Sequence, residues 1–128
     1  MEDVLVSAGV ILALLDADHL LHKKALDTLR ELRDRGAVPL LTNFIVSEAF
    51  SLLSVTLGPD AGRTWLRHNI WPVERVSPVD EERAKALILG FNEGKDARDL
   101  TYTDATSIAV MERLGIQRVL NFTSPQSG

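Results

Sequence analysis

The sequence contains no cysteine, few aromatic residues and no excess of positive charge. Without cysteine the chain forms no disulfide, no thiolate nucleophile and no cysteine-ligated zinc site, and this composition suits a reducing cytosol. There are 14 Lys and Arg residues against 18 Asp and Glu residues, a formal net charge of -4. That balance argues against binding nucleic acid through bulk positive charge, although a local RNA-binding groove stays open.

Long apolar runs are also missing. The run over residues 10–15 is far too short to span a bilayer, and the N-terminus lacks the basic start of a secretory signal. We therefore expect a cytoplasmic protein without membrane association. The 128 residues, 45% hydrophobic and 25% charged, predict a single globular domain over residues 1–128.

Short apolar runs alternate with longer helical patterns along the chain. Strands are predicted over residues 4–6, 37–41, 73–76 and 118–122. Helices are predicted over residues 9–15, from residue 22 to 32, after a Thr42 or Asn43 cap, from Pro59, over residues 80–91 and after a Thr103 cap. This alternation predicts an α/β fold with a central parallel sheet and helices on both faces. Only residues 94–98 and the last six look loose.

Two acidic residues fall in apolar helical stripes. At 100° per residue, Glu48 aligns with Ile45 and Leu52, and Asp104 aligns with Ile108, so each carboxylate is expected on the core side. Such a carboxylate needs hydrogen bonds, a cation or a metal ion. Two interpretations are open. Each acid accepts backbone N–H groups at a helix N-terminus, or the pair belongs to an active site.

The ends of the predicted strands favour the second interpretation. Ser7 follows the first strand, the helix of Glu48 follows the second, and Thr123 follows the last. In open parallel sheets ligands gather at the carboxyl ends of the strands. A hard cation such as Mg²⁺ takes carboxylate oxygens and waters, and two carboxylates would hold one ion weakly.

These residues resemble the PIN domains, and among them the VapC-type toxins of bacterial toxin–antitoxin pairs. The similar motifs are residues 4–16, 42–48, 100–105 and 119–123, and their order and spacing carry the resemblance. It implies a three-layer α/β/α fold and a ribonuclease that cleaves RNA with Mg²⁺ or Mn²⁺. It also implies a frequent homodimer that an antitoxin protein restrains.

The chain departs from the family at two acidic positions, where Ser7 and Thr123 stand. The proposed catalytic set is Glu48, Asp104, Ser7 and Thr123. The proposed metal ligands are Glu48, Asp104 and Asp99, although a loop acid such as Asp99 is more often only solvated. Ser7 is either natural divergence or an engineered substitution. Because the chain stops five residues after Thr123, the closing strand of the family is expected to be short or missing.

Two functions remain from the sequence. The first is a magnesium-dependent endoribonuclease with weakened or lost activity, because neutral hydroxyls replace anionic ligands. The second is a non-catalytic PIN-like module that binds an antitoxin or RNA. The acids Asp80, Glu81 and Glu82 are expected to form a favourable acidic first turn of a helix, outside the site.

Overall fold

The computed structural model describes residues 2–90 and 100–122 of the chain. Over those residues the elements are β1 (Asp3–Val6), α1 (Ala8–Leu15), α2 (His22–Asp34), β2 (Val38–Thr42), α3 (Asn43–Leu57), α4 (Pro59–His68), β3 (Val73–Glu74), α5 (Pro78–Gly90), α6 (Tyr102–Leu114) and β4 (Val119–Leu120). Every predicted strand and helix is confirmed, with β3 and β4 shorter than expected. The segments predicted to be loose, and any closing strand, lie outside the described residues.

The described strands form a parallel sheet in the order β3-β2-β1-β4. The central position of β1 follows from its pairing on both sides, since Leu5 lies opposite Leu40 in β2 and Val119 in β4. Val4, Leu5 and Val6 are completely buried. Such a run of buried branched residues is typical of a strand covered by helices on both faces.

The helices flank this sheet in two groups. Helix α1 packs against α2 and α3, and α3 packs against α4, whereas α5 packs mainly against α6. The largest fully buried side chains of the hydrophobic core are Leu5, Ile11, Leu32, Leu41, Ile45 and Leu53. Each contributes about 1.5–3 kcal/mol relative to an exposed side chain. The structure therefore confirms the α/β/α layers.

Threonine caps begin the two helices that carry Glu48 and Asp104. Thr42 Oγ1 accepts a hydrogen bond from the Ile45 N–H at 3.1 Å, as predicted for α3. The prediction of a Thr103 cap for α6 was wrong. Thr101 has extended backbone dihedrals, and its Oγ1 accepts from the Asp104 N–H at 3.0 Å. Helix α6 therefore begins two residues earlier, with Thr103 inside its first turn.

Candidate functional site

Ser7 lies at the carboxyl end of β1, beside the end of β4. Its backbone N–H donates to the Leu120 carbonyl at 3.0 Å, and Asn121 follows Leu120 directly. Because neighbouring parallel strands end at the same edge of the sheet, this bond holds Ser7 and Asn121 together there. That edge is where ligands bind in open parallel sheets.

Glu48 projects from the second turn of α3, and the start of this helix is tied to the same edge. Asn43 Oδ1 accepts a hydrogen bond from the Val76 N–H, just after β3, at 2.8 Å. The buried stripe of α3 runs through Ile45, Ala49 and Leu53. Glu48 lies beside this stripe and is exposed, so the expectation that its carboxylate points to the core was wrong. A side chain one position off the stripe reaches a pocket instead.

Asp104 lies in the first turn of α6 and is half-buried. Its own N–H is satisfied by Thr101, and Ala105 and Thr106 turn towards the interior. Among the described residues, neither its carboxylate nor that of Glu48 accepts a protein hydrogen bond. The interpretation of these acids as acceptors of helix N–H groups is therefore not supported, and both carboxylates stay available to a ligand.

The two carboxylates and Ser7 share one pocket of about 230 Å³. We call it the acid pocket. Its walls come from the end of β1, the first turns of α3, the first turns of α6 and the β4 segment. They are formed by Ser7, Ala8, Ile45, Glu48, Leu100, Thr103, Asp104, Ser107, Ile108, Met111, Val119 and Asn121. Three of the residues proposed from sequence thus converge in one place.

Two other proposed residues cannot be placed. Asp99, the candidate loop ligand, and Thr123, the hydroxyl at the fourth acidic position, lie outside the described residues. Of the predicted site residues that the structure describes, Ser7, Glu48 and Asp104 line the acid pocket.

Asp104 lies close enough to Glu48 to influence the protonation of the Glu48 carboxyl. Partial burial of the Glu48 carboxyl raises its pKa above the ordinary value of 4.5, and the negative charge of Asp104 raises it further. Glu48 as a residue is exposed, and the burial of its carboxyl group is only partial. A cation between the two carboxylates would relieve this repulsion.

Ser7 adds an unsatisfied hydroxyl to this pocket. Its Oγ is buried and has no hydrogen-bond partner among the described residues. Buried polar atoms are rarely left unpaired unless a water, an ion or a ligand pairs with them. With Ser107 and Asn121 it gives the pocket neutral oxygen atoms beside two carboxylates, a donor set that suits a hard divalent cation and its waters.

The acid pocket has little else to neutralise its charge. Its described lining contains two carboxylates and no lysine, arginine or histidine. The described residues also contain no group of three or more His, Cys, Asp or Glu that would hold a metal ion. A cation would therefore rely on a carboxylate pair supplemented by neutral oxygens, which is a weak site.

No family model matches the sequence, and no curated protein matches it. Among solved structures, the chain is similar to Mycobacterium tuberculosis VapC20, described as a sarcin–ricin loop cleaving toxin. The similarity covers 97% of this chain and 92% of VapC20, with a TM-score of 0.77 and 26% sequence identity. The chain has the VapC-type PIN fold. This confirms the resemblance drawn from the four motifs.

The described part of this VapC-type PIN fold contains no helix that is both long and apolar enough to cross a membrane.

An ion-pair network that the sequence analysis missed holds α6, and with it Asp104, against the rest of the PIN fold. Arg113 Nη2 donates to Asp80 Oδ2 at 2.9 Å, Nη1 to Glu74 at 3.1 Å and Nη2 to the Arg75 carbonyl at 3.2 Å. Asp80 lies in the acidic first turn of α5, as predicted, and is only 2% exposed. Its spacing from Ser77 was a usable signal, because the two residues cap the start of α5 reciprocally.

A larger apolar groove of about 740 Å³ lies between the first four helices of the PIN fold. Its lining is mostly leucine and other apolar side chains, with a few polar residues. It is lined by Ile11, Leu14, Leu15, Leu26, Leu29, Leu53, Leu57, Asp60, Ala61, Thr64, Trp65, His68, Asn69, Ile70 and Trp71. Leu15 is 51% exposed and Ile70 90% exposed. An apolar groove with exposed hydrophobic side chains is typical of a protein-binding surface.

Proposed function

We propose that the protein is a metal-dependent endoribonuclease of the VapC type with a weakened metal site. The convergence of Glu48 and Asp104 in one pocket, at the carboxyl edge of a parallel sheet, carries the proposal. The likeness to VapC20, which is described as cleaving the sarcin–ricin loop, supports RNA as the substrate.

Glu48 and Asp104 are the residues that would hold Mg²⁺ or Mn²⁺, and Ser7 would bind a water of the ion or the ion itself. A bound divalent cation lowers the pKa of a water and stabilises the charge that develops on the leaving oxygen. The two carboxylates would hold a cation at the carboxyl edge of the sheet, and the repulsion of Glu48 by Asp104 would favour its binding. Asp99 and Thr123 stay in this proposal as a third carboxylate and a second hydroxyl.

The proposed weakening follows from Ser7 and Thr123. A neutral hydroxyl is a poorer ligand for Mg²⁺ than a carboxylate, so replacing two acids removes two negative charges from the expected set. The buried Ser7 Oγ lines the acid pocket and has no hydrogen-bond partner in the described part of the chain. A longer acidic side chain at this position would add an anionic ligand.

Cleavage of a mixed RNA pool with Mg²⁺ and with Mn²⁺ tests the proposal. The parent, Glu48→Gln and Ser7→Asp are compared. Glu31→Gln in α2 serves as the matched control, because Glu31 is exposed and does not line the acid pocket. We expect weak metal-dependent cleavage by the parent, loss with Glu48→Gln, a gain with Ser7→Asp and no change with Glu31→Gln.

Each other outcome has a definite meaning. Silence of the parent together with activity of Ser7→Asp would identify a disarmed nuclease. Silence of both would reject catalysis at this pocket. Cleavage that survives Glu48→Gln would show a contaminating nuclease or a different site.

A second candidate function is a binding module that captures an antitoxin, and the apolar groove favours it. An antitoxin segment with one apolar helical face would bury Leu57, Trp65 and Ile70, side chains that now line an open groove. This function requires no metal ion. It therefore remains available if the acid pocket binds none.

Co-expression with the product of a neighbouring small reading frame tests this candidate. Leu57→Asp should abolish co-purification, whereas Val55→Asp, on the same helix but outside the groove, should not. We also propose a homodimer, to be measured by light scattering. A change of mass with Leu57→Asp and not with Val55→Asp would instead assign the groove to self-association.

A further inference from the structure

Phe44 and Tyr102 form an aromatic pair between the starts of α3 and α6. Their ring centroids are 5.9 Å apart, and their planes are inclined by 32°. Phe44 is half-buried, whereas Tyr102 remains 39% exposed. The pair therefore presents part of an aromatic ring to solvent while its other side packs on the protein.

The ring of Tyr102 is fixed by a second contact. Its Oη donates a hydrogen bond to Glu81 Oε1 in the first turn of α5 at 2.9 Å, and this bond raises the pKa of the tyrosine hydroxyl. Packing against Phe44 of α3 and the hydrogen bond to Glu81 of α5 thus fix the position of Tyr102. A ring ordered before a ligand arrives loses little conformational entropy on binding.

This aromatic pair borders the acid pocket. Ile45 and Thr103, the chain neighbours of Phe44 and Tyr102, both line the pocket. Phe44 also lies one turn before Glu48 on α3, about 6 Å along the helix axis. A strand of RNA with a phosphate at the acid pocket would carry its next base to the level of the pair.

We propose that Tyr102 is a stacking platform for an unpaired base of the RNA substrate, next to the phosphate that a cation held by Glu48 and Asp104 would bind. Proteins that recognise single-stranded RNA stack splayed bases on aromatic side chains. Because every base has a π face, this contact supplies affinity with little sequence preference. The inference rests on the proposed function, since it requires RNA at the acid pocket.

Binding is measured without turnover, in the parent protein with Ca²⁺ in place of Mg²⁺, with a fluorescent single-stranded RNA and with the same RNA carrying abasic positions. Tyr102→Ala should weaken binding of the intact RNA about tenfold. Tyr102→Phe should bind within about twofold, because the ring is kept. Leu114→Ala is the matched control, since Leu114 lies on the same helix and is 41% exposed. Thermal melting shows that each variant is folded.

Tyr102 is the only tyrosine in the chain, so ¹³C-tyrosine labelling reports on this ring alone. Intact RNA should shift its ring signals upfield, and abasic RNA should not. Unchanged affinity of Tyr102→Ala, or an equal loss for intact and abasic RNA, would overturn the platform while leaving the nuclease proposal standing. Stacking without cleavage by the parent or Ser7→Asp would reject the nuclease and keep the platform. No RNA binding by any variant would reject both.

Discussion

Arg113 and Asp80 join α6 to α5 through three hydrogen bonds of 2.9–3.2 Å. The Asp80 side chain is 3% exposed and the Arg113 side chain 36% exposed. The guanidinium therefore keeps one edge in water while it satisfies a buried carboxylate. Asp104 lies in the first turn of α6, and Arg113 lies in its last turn. The ion pair therefore also fixes the helix that supplies one of the two carboxylates of the acid pocket.

Asp80→Asn should destabilise the fold by about 1–3 kcal/mol, since it removes the charge that pairs with Arg113 and weakens the cap of α5. Urea unfolding measures the change. Asp60→Asn is the control, because the Asp60 side chain is 95% exposed and should change stability little. A loss no larger than that of Asp60→Asn would show that the pair adds nothing to stability.

The Asp80 pair also predicts a dependence on acid. Its hydrogen bonds with Arg113 hold the pKa of Asp80 below its ordinary value of 3.8. The unfolded chain therefore takes up a proton first, and the stability from this group is present above pH 3.8 and lost as pH falls through the lower folded value. The stability difference between the parent and Asp80→Asn should shrink in that window. A difference that does not change with pH would argue against this assignment.

Glu48 should have the opposite effect on stability. Its pKa is raised by burial and by Asp104, so between pH 4.5 and the folded value the native state binds more protons than the unfolded chain. Stability is then lost as pH rises through that window. Glu48→Gln should therefore raise the melting temperature at neutral pH and leave it nearly unchanged below pH 4.5. Equal gains at both pH values, or a gain with Glu31→Gln as well, would contradict this linkage.

Divalent cations should offset the destabilising repulsion between the carboxylates of Glu48 and Asp104. Mn²⁺ or Mg²⁺ is expected to raise the melting temperature of the parent, because an ion that binds only the folded state stabilises it. The effect should disappear in the Glu48→Gln, Asp104→Asn double variant. Ser7→Asp should be less stable than the parent without metal and should gain more from it, since it places a third negative charge in the acid pocket. A metal effect that persists in the double variant would locate the ion elsewhere.

The sequence predicted the strand and helix order because that signal is local: apolar runs, turns and caps. It also predicted that Ser7 and Glu48 lie at one edge of the sheet, because the carboxyl ends of neighbouring parallel strands meet there. The structure differs from the prediction mainly where a partner distant in the chain determines the environment of a residue. The ion pair of Asp80 was missed because Arg113 lies 33 residues away.

The exposure of Glu48 illustrates the same limit. A helical stripe shows which residues share a face, and it does not show whether that face meets the core or a pocket. Val55, seven residues after Glu48 and therefore on the same face of α3, is 86% exposed. The cap of α6 was missed for a simpler reason: Thr101 and Thr103 are both good caps, and only the backbone dihedrals distinguish them.

Gly62 allows α4 to approach α3 closely, which predicts a steep cost for one methyl group. A Cβ on Gly62 would lie 2.5 Å from Ser54 Oγ and 2.9 Å from Phe50 Cδ1. Gly62→Ala should therefore destabilise the fold by about 1–3 kcal/mol, measured by urea unfolding. Gly9→Ala is the matched control, because that position is helical and a Cβ there meets nothing within 4 Å, so a gain of about 0.5 kcal/mol is expected.

Ser54→Ala separates steric crowding from a general intolerance of change in α4. The Ser54 Oγ is buried and unpaired among the described residues, so removing it should cost little. The same change relieves the shorter of the two contacts with a Cβ at position 62. Gly62→Ala should therefore lose less stability in the Ser54→Ala background, with the remainder due to Phe50. An equal loss in both backgrounds would show that the crowding at Ser54 does not determine the spacing of α3 and α4.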